Sequence, residues 1–67
     1  MSKDDEAVYE KLKEVLEYLQ LASEQLIIHR AYADDKARMS DDLLVQINKA
    51  SAECTDVLVK YQQAYMK

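Results

Sequence analysis

Apolar residues recur at alternating steps of three and four through most of this chain, and that rhythm leaves room for one class of fold. One run is Val8, Leu12, Val15, Leu19, Ala22, Leu26, His29 and Ala33. A second is Leu43, Ile47, Ala50, Cys54, Val57, Tyr61 and Ala64. This is the period of a coiled-coil seam, which a helix gathers along one side and a strand scatters over both. Nothing punctuates the runs, because the 67 residues include no Gly and no Pro. Strands need turns, and the residues that make turns are missing. With 49% hydrophobic and 33% charged residues the chain is too apolar for disorder. The expectation is all-α, in one domain covering residues 1–67.

The start reads as a helix entrance. Ser2 caps, and Asp4, Asp5 and Glu6 lie at the positive end of the helix dipole. Nothing breaks the pattern until Lys36. Between Ala33 and Asp42 the apolar rhythm gives way to polar residues. Lys36 and Arg38 suit a helix C-terminus, and Ser40, Asp41 and Asp42 suit a new N-terminus. The spacing therefore predicts a first helix over about 3–36, a turn over about 37–40 and a second helix over about 41–65.

Two arrangements fit this pattern. The heptad series through residues 12, 19, 26 and 33 runs on unbroken through 40, 47, 54 and 61. A single continuous helix in a long coiled coil has that property. It would also bring Lys36 and Ser40 into the core as neighbours of His29 and Ala33. An antiparallel helical hairpin avoids this. It sets Leu12 opposite Ala64, Val15 opposite Tyr61, Leu19 opposite Val57 and Ala22 opposite Cys54. Large then mostly meets small, which fills a seam without voids. The hairpin is the favoured expectation.

A hairpin of this size has little core of its own. A compact globule of 7.8 kDa buries roughly 7,000 Å² on folding. If about 60% of that is apolar, it returns on the order of 100 kcal/mol, and ordering the chain costs about as much. Two helices side by side bury less than a globule, so company is expected. The sequence offers surface for it. Tyr18, Leu21, Gln25, Ile28 and Tyr32 form a second line on the first helix, widened by Leu16 and Ile27. Val45, Ala52, Val59 and Met66 recur seven apart on the second. A helix apolar on more than one side is buried on more than one side. Dimerisation, or a heterologous helical partner, would complete a four-helix bundle. Tyr18, Leu21, Gln25, Ile28, Tyr32, Val45, Ala52 and Val59 are the expected partner-binding residues.

Chemistry finds little footing. No catalytic, cofactor-binding or metal-ligating set is expected. His29 is the single histidine, and a metal site needs several ligands that converge. Charging His29 near neutral pH could tune assembly instead. Cys54 is the single cysteine, in a seam position with Glu53 and Asp56 close by, the reverse of what activates a thiol. The acids Asp34, Asp35, Asp41 and Asp42 lack the glycine of a calcium loop. The net charge is −4 and the basic residues are scattered, which argues against a duplex-binding stripe. The five tyrosines suit protein contacts better than base stacking. No apolar run is long enough for a membrane span, and no signal peptide opens the chain, so a cytoplasmic protein is expected.

The expected function is that of a small non-enzymatic interaction module: an adaptor, co-chaperone or regulator. In size, acidity and architecture the chain is similar to the plasmid copy-number regulator Rop, a hairpin dimer that binds RNA. It is similar too to the small co-chaperones of type III secretion needles. Both likenesses are of shape, and neither carries a functional residue across. The Rop likeness implies the alternative, an RNA-binding hairpin dimer using Lys3, Lys11 and Lys13.

Overall fold

The computed structural model describes residues 3–65, and every one of them is helical. The expected cap at Ser2 and the outer residue Met66 lie outside the described residues. Helix α1 spans Lys3–Ala33, a 3₁₀ segment spans Asp34–Ser40, and helix α2 spans Asp41–Tyr65. Asp4, Asp5 and Glu6 fill the first turn of α1, and Asp41 and Asp42 the first turn of α2, each set against a positive dipole end.

The α-helix stops at Ala33, three residues short of the expected Lys36. Asp34 is the reason: its φ is +57°, the left-handed region. Glycine usually takes that position at a helix end, and this chain has none. Aspartate is among the few other residues that tolerate it. The basic side chain in the last turn is accordingly Arg30, and neither Lys36 nor Arg38. Arg30 Nη1 pairs with the Asp41 carboxylate and donates to the Ala37 carbonyl oxygen at 3.4 Å. Ser40 is buried, and its hydroxyl donates to the same Ala37 carbonyl at 2.9 Å. The interruption is thus a hydrogen-bonded corner.

Helical residues 3–65 laid end to end would reach roughly 95 Å at 1.5 Å per residue. The molecule measures 50 × 15 × 12 Å, so α2 lies beside α1. Side chains far apart in sequence meet along the whole length. Tyr61 Oη donates to the Asp5 carbonyl oxygen at 3.0 Å, and Gln62 Nε2 to Tyr9 Oη at 2.6 Å. Cys54 Sγ donates to the Leu12 carbonyl oxygen at 3.6 Å, and Ser23 Oγ to Asn48 Oδ1 at 3.2 Å.

These contacts correct the expected pairing. Tyr61 meets Asp5 and Tyr9 instead of Val15, and Cys54 meets Leu12 instead of Ala22. The shift is about one and a half to three helical turns toward the start of α1, the smaller value from Tyr9–Gln62 and Ser23–Asn48 and the larger from Tyr61–Asp5 and Cys54–Leu12. The corner accounts for part of it: α1 ends three residues early, at Ala33, while α2 begins at Asp41 as expected.

The seam also has a different phase. On α1 the half-buried residues are Asp5, Tyr9, Leu12, Leu16, Leu19, Ser23, Leu26, Arg30 and Ala33. On α2 they include Leu44, Ile47, Ser51, Cys54 and Tyr61, with Leu58 buried. Leu12, Leu19, Leu26, Ala33, Ile47, Ala50, Cys54 and Tyr61 keep the places expected of them. Val8, Val15, Ala22, His29, Leu43, Val57 and Ala64 are exposed, and for all but Ala64 the residue one step further on takes the seam. Each helix has rotated to bring Tyr9, Leu16, Leu44 and Leu58 inward in place of Val8, Val15, Leu43 and Val57. A larger side chain gains about 0.8 kcal/mol per extra buried methylene. The rotation also draws in Ser23 and Arg30, which find Asn48 and Asp41. Polar groups brought toward a core are tolerated when they are bonded.

Candidate protein-interaction surface

A seam has two flanks, and here they differ in chemistry. On one side, Gln62 bonds Tyr9, Asn48 bonds Ser23, and Asp41 pairs with Arg30. In each pair the α2 residue stands one step after a seam residue. Lys13 is on this side too, its ammonium 5.9 Å from the Tyr9 ring centre. This flank is polar and internally satisfied, with Ile27 as its apolar exception.

The other flank consists of the residues one step before the seam. On α1 these are Val8, Val15, Ala22 and His29; on α2 they are Leu43, Val57 and the half-buried Ala50, and Ala64 continues the row seven residues after Val57. None forms a cross-helix hydrogen bond. Val8 is 49% exposed, Val15 47%, Leu43 54% and Val57 46%. An open apolar depression at Ala7, Val8, Lys11, Leu12 and Val15 lies on this side. About half of the residues read from sequence as the core, Val8, Val15, Leu43 and Val57 among them, therefore form a second, mainly apolar surface, a role that sequence spacing alone missed.

All eight residues expected to bind a partner are exposed. The helical period divides them. Tyr18, Gln25 and Tyr32 border the apolar flank, and Leu21 and Ile28 sit further round, pointing away from the seam. Val45, Ala52 and Val59 fall on the back of α2, behind the polar flank. The structure gathers the α1 set into one band and leaves the α2 set apart from it.

The open end of the molecule carries an aromatic cluster. Tyr61 stacks on Tyr9 at 6.0 Å and leans on Tyr65 at 4.8 Å between ring centres. Burial of the phenol, the Asp5 carboxylate, the hydrogen bond to it and the neighbouring Tyr65 raise the Tyr61 hydroxyl above its usual pKa of 10.0. At the other end His29 borders a shallow depression with Tyr32, Asp35, Lys36 and Met39.

Among the described residues, no group of three or more His, Cys, Asp or Glu side chains could hold a metal ion. No described helix is long and apolar enough to cross a membrane. Cys54 is half-buried, with its thiol on the Leu12 carbonyl. Lys11 and Lys13, two of the three lysines of the RNA-binding alternative, stand 3.1 Å and 3.8 Å from Glu14 and Glu10. No family model, no curated protein and no solved structure matches this chain.

Proposed function

We propose that this chain is a non-catalytic protein–protein interaction module, an antiparallel helical hairpin that completes a four-helix bundle with a second pair of helices. One observation carries the reading. Among the described residues Leu58 is the one apolar side chain that is buried, while thirteen large apolar side chains are 44% exposed or more. A pair of helices with so much apolar surface in water gains free energy by covering it. The apolar flank and the adjoining Tyr18–Tyr32 band are the surfaces available. Tyrosine suits such a role, since it supplies contact area together with a polar tip. Regulation by occupancy follows: whatever covers the flank sets both the stability of the module and which second partner reaches the band.

Light scattering on the isolated chain tests this. The expected mass is at least twice 7.8 kDa, with a melting temperature that rises with concentration. A stable monomer with concentration-independent melting, to which no helical partner adds stability, overturns the reading.

A further inference from the structure

We infer that the apolar flank docks a second copy of this chain, turned end for end about a two-fold axis passing close to Tyr18 and Glu53. The inference rests on the interaction-module reading and goes further by naming occupant, face and register.

Area supports a second copy. The chain exposes 5403 Å². A compact protein of this mass exposes roughly 4,400 Å², and one of twice the mass roughly 7,200 Å². Bringing two separate copies to that compact limit removes roughly 3,500 Å² of surface. Obligate homodimers bury about 2,000–5,000 Å², so one copy supplies a cover of the required size. The polar flank offers no equivalent, because its side chains already bond one another.

Shape fixes the orientation. From the open end to the corner, the flank reads Val8 with Ala64, then Val15 with Val57, then Ala22 with Ala50, then His29 with Leu43. A copy laid on it in the same direction repeats these pairings between chains, so Val15 opposes Val57 and Ala22 opposes Ala50. One layer is overfilled and the next is hollow. A copy turned end for end sets Val15 and Val57 against the partner's small pair, and Ala64 against the partner's Leu43. Large meets small in both central layers, as a close-packed interface requires. The midpoints of the four α1 and the four α2 flank residues fall at nearly the same height, so one axis serves both helices. That is the condition for a closed isologous dimer. On the rim the axis sets Tyr18 beside its own copy and Glu53 beside its own copy. Glu53 is exposed, where a like-charge contact is screened by salt.

The test is disulfide trapping in the full chain with Cys54→Ala, alongside light scattering. Val15→Cys with Ala22→Cys in one chain cannot close on itself, since the two positions are two turns apart on one helix. The end-for-end dimer brings each to the other across the axis, so a covalent dimer forms under mild oxidation. Val15→Glu and Val57→Glu each shift the dimer toward monomer by at least tenfold in Kd while helical content is kept. A covalent dimer through Val15→Cys with Val57→Cys, and none through Val15→Cys with Ala22→Cys, overturns the orientation and leaves the module reading standing. A dimer indifferent to both glutamate variants overturns the face. A monomer that gains stability only from a different helical chain overturns the second copy, again without removing the module.

Discussion

The phenolic hydroxyl of Tyr61 donates to the backbone carbonyl of Asp5 across 3.0 Å, joining residues 56 positions apart. An ionised phenolate cannot donate, and it repels the Asp5 carboxylate. The raised pKa means that the folded chain holds this proton more tightly than the unfolded chain does. The resulting stabilisation is fully present below pH 10.0 and is lost as pH climbs through the higher folded value. Tyr61→Phe is expected to lower the melting temperature at pH 7 and to remove this part of the alkaline loss. Thermal melts of both chains between pH 8 and pH 11.5 check it. Identical alkaline slopes would show that the Tyr61–Asp5 contact does not contribute.

Asp34 holds the corner in a left-handed conformation. Glycine adopts it without the Cβ contact that costs other residues about 1–2 kcal/mol, though glycine also loses about 0.5–1 kcal/mol more backbone entropy on folding. Asp34→Gly is therefore expected to stabilise by up to about 1 kcal/mol. Asp34→Val, branched at Cβ, should destabilise by about 1 kcal/mol or more. Urea unfolding of the three chains ranks them, and equal midpoints would count against a left-handed residue here.

Arg30 ties the end of α1 to the start of α2 through Asp41 and the Ala37 carbonyl. Both partners are partly solvated, so the pair is a modest contributor. Arg30→Ala is expected to cost about 1 kcal/mol, and a double-mutant cycle with Asp41→Asn should assign about 0.2–1 kcal/mol to the pair. The coupling falls as salt rises. A cycle that closes at zero in low salt would mean the corner is held by Ser40 and the backbone alone.

Leu58 is the buried apolar side chain of the seam, and Leu21 points away from it. Leu58→Ala is expected to cost about 2–3 kcal/mol, at the low end for leucine truncation because the site is narrow and can collapse. Leu21→Ala should stay within about 0.5 kcal/mol in the chain alone. Comparable losses at the two positions would place the seam elsewhere on the helices.

Part of this structure could be read directly from the residues. The three-four spacing, the missing Gly and Pro and the acids at Asp4, Asp5, Asp41 and Asp42 call for helices, and every described residue is helical. The choice of face was less legible. Leu12, Leu19, Leu26, Ile47, Cys54 and Tyr61 belong to a seam in either of two phases, one adding Val15 and Val57, the other Leu16 and Leu58. Spacing favours the smoother apolar run. The fold takes the larger side chains and accepts Ser23 and Arg30 among them.

The period of the apolar residues by itself determined that the chain is helical and that each helix has a greasy side, because local backbone geometry turns a repeat of three and four into a stripe. Only the tertiary structure decided which edge of that stripe is covered and which residues meet across it. Those depend on long-range pairing: on Asp34 ending α1 early, on Asn48 and Asp41 satisfying Ser23 and Arg30, and on the extra area that Leu16 and Leu58 bury. The same rotation that put those residues inside turned Val15 and Val57 outward, and so made a surface from what the spacing alone marks as core.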